Sequence, residues 1–169
     1  MKSHLFYLVT ISLLCALLLS CSDDENGLYM NEIDKHVDTE NVIHTSTELE
    51  IISIVNQYRK NINIPELQTL NIISGVADSH TNYMITSGQV SHDNFENRLQ
   101  YLTDNANAIS VGENVAYGYS SAQSVFNGWL NSEGHRKVIE NPKYTHVGIS
   151  IEINSEGRNY FTQIFIKKN

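Results

Sequence analysis

The chain has 169 residues, 41% of them apolar, with a formal net charge of −8 and two cysteines. That length suits one domain with a real core and leaves no room for a second. The acidic balance argues against nucleic acid or an anionic surface as a partner.

Among the first twenty residues Lys2 is the single formal charge, and an apolar run follows from Leu5 to Leu19. The run is too short and too weakly flanked for a membrane span and reads as an export signal covering residues 1–20. The ending Leu18, Leu19, Ser20, Cys21 has the form of a bacterial lipobox, in which the cysteine is acylated (palmitate being one such chain) and becomes the mature N-terminus. Cys15 would leave with the signal, so Cys21 would be the only thiol. A disulfide within one molecule, a cysteine nucleophile and a zinc-thiolate site are then all excluded. Losing Lys2, with no Asp or Glu before Cys21, takes the charge from −8 to −9. Residues 21–45 are polar and begin with Ser22, Asp23, Asp24, Glu25; they read as a tether. The acidic run is either a surface-export signal of lipoproteins in double-membraned bacteria or an ordinary solvated linker. The expected location is the cell envelope, lipid-anchored at the outer membrane or cell surface.

The folded part, residues 46–169, opens with a capping pair, Thr47 and Glu50, and a helix to about Lys60 with Ile51, Ile52, Val55 and Tyr58 on one face. Pro65 breaks the chain. A second helix is expected from Leu70 to Ser87, with Ile73, Val76, Ala77, His80, Tyr83 and Met84 at helical spacing and Gly88 as the stop. His80 thus falls on the buried stripe, where a hydrogen-bonded core histidine is the commoner outcome than a ligand. Ser91 and His92 read as loop, with His92 a polar residue that ties the loop down. A short third helix follows with Phe95, Leu99 and Leu102 inward, then a polar loop from Asp104 to Asn107.

Ile109, Val111, Glu113 and Val115 alternate as in a strand, which turns Glu113 to the apolar side. An unpaired carboxylate there costs roughly several kcal/mol, so it calls for a His, a metal or backbone amides as partner. Ser120 and Gln123 form a further capping pair, and Ala122, Val125, Phe126, Trp129 and Leu130 give a helical stripe. It ends near Ser132, leaving Glu133, Gly134 and His135 in a loop. Val147, Ile149, Ile151 and Ile153 alternate, residues 154–158 turn, and Tyr160 to Ile166 returns as a hairpin. Helices first and an antiparallel pair last make an α+β domain.

Asn56 and Arg59, His80, Ser91 and His92, Gly112 to Ala116, Trp129, Gly134 to Arg136, Asn141 and Pro142, Tyr144, Gly148, and Tyr160 to Gln163 with Phe165 occur in an order that resembles the CAP superfamily. This is the group of cysteine-rich secretory, antigen 5 and pathogenesis-related 1 proteins, and the likeness is to its bacterial SCP-like branch over about residues 45–166. The resemblance implies a three-layer α-β-α sandwich with a central, mainly antiparallel sheet and a cleft holding two His and two Glu. Carried over by motif, His80 matches the first His, Glu113 the glutamate of the Gly-Glu-Asn motif and His135 the second His. Glu133 stands one position past the place of the second Glu, occupied here by Ser132, and is either a near replacement or a solvent-facing loop residue.

Two neutral imidazoles suit Zn²⁺ or a similar divalent ion, and Glu113 would complete the set or hold a water. His80, Glu113 and His135 are therefore the metal and catalytic candidates, with Glu133 secondary. There is no His-Glu-x-x-His pair and no nucleophile elbow. The functions that remain are a surface-tethered module for a lipid, peptide or envelope ligand, a metal-dependent hydrolase of peptide or envelope material, and a host-facing interaction protein. The expected partners are the membrane, through the lipid anchor, and one such ligand; the domain is expected to be a monomer.

Overall fold

The computed structural model describes Val37 and residues 42–168. The signal, Cys21 and most of the tether lie outside the described residues. Among these residues no helix is long and apolar enough to cross a membrane.

Among the described residues five helices and four strands follow in the order α1 (Ser46–Asn61), β1 (Gln68–Thr69), α2 (Asn71–Ser87), α3 (Phe95–Ala106), β2 (Ala108–Tyr117), α4 (Ala122–Asn131), α5 (Glu133–Ile139), β3 (His146–Ile153) and β4 (Asn159–Lys168). The sheet runs β1-β3-β4-β2, with β1 parallel to β3 and the other pairs antiparallel. Helices α1, α4 and α5 cover one face around Val55, Val125, Trp129, Phe161 and Phe165. Helices α2 and α3 cover the other around Ile73, Val76, Leu102, Ile164 and Ile166. The α+β class and the α-β-α sandwich expected from the sequence are both present.

Local chemistry sets the element ends, sometimes two residues from where the pattern put them. The capping box of α1 is Thr45 with Glu48, and Glu48 also accepts from the Ile151 amide at 2.9 Å. That second bond ties the start of α1 to β3, which Thr47 and Glu50 would not do. The box of α4 is Ser121 with Ser124 rather than Ser120 with Gln123. Ala122, Val125, Phe126 and Trp129 are buried as the stripe requires, and the Trp129 indole donates to the Val115 carbonyl at 3.1 Å. That bond fixes α4 to β2 beside the site.

In β2 the predicted alternation fails. Ile109 is 53% exposed beside a register irregularity between Ala108 and Ser110, while Gly112 to Ala116 are all buried. Helices cover both sheet faces, so a strand between them buries both of its sides. Two glycines permit the close packing. A Cβ at Gly112 would collide with the Tyr144 ring and Val138, and one at Gly148 with the backbone of Ile73 and Ser74. The region after α4 is not a loop: Glu133 to Ile139 form the short helix α5, and Asp104 to Ala106 complete α3.

Candidate functional site

The buried carboxylate of Glu113 is the centre of the site. On β2 it points toward α3, where Arg98 meets it side-on: Nε donates to Oε2 and Nη2 to Oε1, both at 2.7 Å. Both side chains are almost fully buried. A third donor, Nδ1 of His92, reaches Oε1 at 2.7 Å from the loop between α2 and α3. Burial pushes the Glu113 pKa up, but the His92 hydrogen bond, then the charge and hydrogen bonds of Arg98, outweigh it and hold the carboxyl below its ordinary value. The group is therefore ionised at neutral pH.

An ionised carboxylate only accepts, so His92 Nδ1 must carry a proton, and in the neutral ring Nε2 is the bare nitrogen. The His92 side chain is 51% exposed. The result is an imidazole oriented from beneath by a carboxylate, on a side chain open to solvent.

His80 lies in the same neighbourhood with a different job. It is fully buried on α2, stacked on Tyr83 at 5.8 Å, and its Nε2 stands 2.9 Å from the Ser91 carbonyl. A carbonyl accepts, so Nε2 carries the proton and Nδ1 is the bare nitrogen. Nδ1 is indeed among the buried atoms that have no hydrogen-bond partner. Burial, reinforced by the charge of Arg98 and only partly opposed by Glu113, lowers the pKa to about 4. The 3.8 Å approach of His80 to Glu113 is thus the contact of a neutral imidazole with a carboxylate at pH 7, and not an ion pair. His80 pins the carbonyl of Ser91 and so places the next residue, His92.

His135, the third residue of α5, is half-buried, and its backbone carbonyl accepts from Asn114 at 3.3 Å. Its pKa is lowered by burial first and then by His92 when that ring is protonated. The bonds that join His80, His92 and Arg98 to Glu113 do not extend to its side chain. Glu133 is exposed and pairs with Lys137 one turn on, at 2.6 Å. The structure thus gathers His80 and Glu113, sets His135 beside the group and leaves Glu133 outside.

Two members of the cluster, Arg98 and His92, are absent from the candidate set that the sequence supplies. A helix with Phe95, Leu99 and Leu102 inward has Arg98, three residues after Phe95 and four before Leu102, on the flank of that face, where a charge is ordinarily assigned to water. The buried residues of α3 are instead Arg98, Tyr101, Leu102 and Ala106, which share the i, i+3, i+4, i+8 spacing of one face. That spacing, with an inward Glu113 in need of a partner, is the available signal; the partner is a cation of the chain itself. For His92 no such signal exists, because nothing in a loop sequence shows which way a residue faces.

The metal candidates can be tested on this geometry. The His80 nitrogen nearest the carboxylate, Nε2, carries a proton that it gives to the Ser91 carbonyl and so has no lone pair for a metal, and both oxygens of Glu113 lie in the Arg98 fork. Among the described residues no group of three His, Cys, Asp or Glu side chains is placed to hold a metal ion. A divalent ion shared by His80, Glu113 and His135 does not fit this arrangement.

An α-β-α sandwich with a buried Gly-Glu-Asn glutamate under an imidazole at one sheet edge defines a class. The model of the CAP, or cysteine-rich secretory protein, family matches residues 52–165, and the chain belongs to that family. It is 33% identical over 131 residues to the Uncharacterized membrane protein YlbC of Bacillus subtilis, a match covering 75% of this chain and 36% of that protein. The chain therefore spans little more than a third of that relative. An extracellular protein containing a SCP domain from Bacillus anthracis superposes with a TM-score of 0.64 at 28% identity, covering 76% of this chain and 45% of the other. An outer surface protein from Borrelia burgdorferi, at 21% identity, shares the fold with a TM-score of 0.66, covering 75% of this chain and 97% of the other.

Proposed function

We propose that the chain is an extracytoplasmic CAP module, held in the cell envelope by a lipid on Cys21, that recognises a peptide, lipid or envelope ligand at the cleft around Glu113. The observation that carries this reading is the exposed His92 ring, fixed from below by a carboxylate that is itself neutralised by Arg98. Such an imidazole keeps one orientation without a ligand, so little ordering entropy is lost when a donor reaches Nε2. His135, whose pKa burial lowers, contributes a neutral ring at pH 7. Relatives named as a membrane protein, an outer surface protein and an extracellular protein support placement in the envelope, and the Leu18 to Cys21 motif supports the anchor.

A second reading, hydrolysis, is favoured by the same pair, because a carboxylate that fixes Nδ1–H and leaves Nε2 bare is how a general base is oriented. His92 is then the base and Glu113 its positioning partner, in place of a metal held by His80, Glu113 and His135. Fold does not choose between the two.

The test is side-chain NMR of the soluble domain begun after Cys21, titrated with muropeptides, a mixed peptide pool and phospholipid vesicles. The expected result is a saturable shift of the His92 and His135 ring signals with one of the three, lost in His92→Gln. Turnover of that probe at a rate that falls with His92→Gln would select hydrolysis. Ring signals that none of the probes moves would defeat both readings.

A further inference from the structure

We infer that Arg98 is the cleft's built-in cation, and that its guanidinium closes Glu113 of this chain to divalent metal. The argument begins with charge. Glu113 is a buried anion and must have a counter-charge; in a cleft of two histidines and a glutamate a metal ion is one solution, and a fully buried Arg98 is another. The two are alternatives because they claim the same atoms. Arg98 takes one proton contact on each oxygen of Glu113, and a third nitrogen, Nη1, is tied to the Asp93 carbonyl at 2.7 Å. The guanidinium is therefore anchored at its far side and does not swing away when an ion approaches. An ion placed on Glu113 would stand against a fixed like charge in a dry surrounding, where repulsion is poorly screened.

The histidines around it are set for the same solution. His80 gives its Nε2–H to Ser91 and His92 gives its Nδ1–H to Glu113, so in each ring the nitrogen nearest the carboxylate carries a proton and offers no lone pair to a metal. Sequence position explains how the device is built: α3 precedes β2 directly, and a single arginine on its inner stripe lies across from the glutamate fifteen residues later.

The test is calorimetric titration with zinc, and Co²⁺ absorption as a geometric check, on three proteins: the wild type, Arg98→Gln and the neutral pair Arg98→Gln/Glu113→Gln. Wild type and the neutral pair are expected to match, with only weak uptake. Arg98→Gln frees the carboxylate among imidazoles and is expected to bind zinc at least ~10-fold more tightly than either, the scale on which one added ligand or its orientation changes affinity. Arg98→Lys, which keeps the charge, should stay with the wild type. If Arg98→Gln folds only when zinc is added, that is the same gain read through stability. Wild-type affinity exceeding that of the neutral pair, or no gain in Arg98→Gln, overturns the inference, whatever ligand the cleft proves to bind.

Discussion

Arg59 and Arg98 are both fully buried, and they are neutralised in opposite ways. Arg59, on α1, has no carboxylate partner among the described residues: its nitrogens donate to the carbonyls of Pro65, Ile139, Asn141 and Tyr144 at 2.6–3.2 Å. It knots α1 to the chain before β1 and to the stretch from α5 to β3. Burial alone pulls its pKa below the usual value, with no anion to oppose it. Arg98 faces a true anion, Glu113, and the pair ends at an exposed histidine. A guanidinium spread over backbone dipoles holds chain segments together; one that fixes a carboxylate under an imidazole prepares a surface for chemistry.

The largest effects should separate these two solutions. Arg59→Met strands four carbonyl acceptors, those of Ile139 and Tyr144 in buried bonds, and should cost on the order of 4 kcal/mol, with no single second change able to restore it, because the acceptors are backbone. Arg98→Met should cost a similar ~3–5 kcal/mol by leaving Glu113 unpaired, yet Arg98→Met/Glu113→Leu should recover most of it, since a buried pair replaced by apolar groups is often neutral. Urea denaturation of the three variants decides the matter. A double variant no better than Arg98→Met would mean that Arg98, like Arg59, serves mainly as a structural tie.

How much of this is legible in the sequence follows from the same contrast. The Trp129 stripe, the terminal hairpin and the inward turn of His80 and Glu113 are periodic signals, and periodicity survives folding when one face meets a core. Arg98 obeys the same periodicity, but a charged residue on a helix is ordinarily assigned to water, which hides its place on the buried stripe. His92 has no periodicity to read, because its direction is set by a carbonyl that His80 captures from another element. The two-residue strand β1 exists only through its register with β3, which no local pattern encodes. The exposure of Ile109 at the end of β2 comes from tertiary cover that stops short of it.

The next effect is a pH dependence that sharpens the difference between the neutral histidine and the charged pair. His80 has a folded pKa of about 4 against 6.5 unfolded. The unfolded chain therefore takes up the proton first as pH falls. The stability this group contributes is present above its unfolded pKa and is lost as pH drops toward 4, to a total of about 3 kcal/mol at 1.36 kcal/mol per unit. Glu113, lowered from 4.5, keeps its contribution above 4.5 and loses it as pH falls from there through its folded value. His80→Gln keeps a donor for Ser91 and cannot titrate. Urea midpoints from pH 7.5 to 4.5 should converge between wild type and this variant on the acid side, and parallel curves would refute a buried neutral His80.

The smallest effect concerns the two glutamates, which share a charge and little else. Glu113 has a guanidinium and an imidazole and is almost fully buried; Glu133 is 71% exposed and its partner Lys137 equally so. A pair of that kind, one helical turn apart, contributes about 0.3–0.5 kcal/mol and is weakened by salt. Glu133 also stands in the first turn of α5, where a negative charge meets the unsatisfied amides of the helix start, a further gain of the same modest size. Glu133→Gln should therefore shift stability by less than about 1 kcal/mol, the shift shrinking further at high ionic strength, where screening reduces both contributions. It should also leave the ring signals of His92 where they are in the wild type, because no bond links the two. A displaced His92 signal in Glu133→Gln would mean that α5 transmits to the cleft through His135, and that the second glutamate acts on the site from outside it.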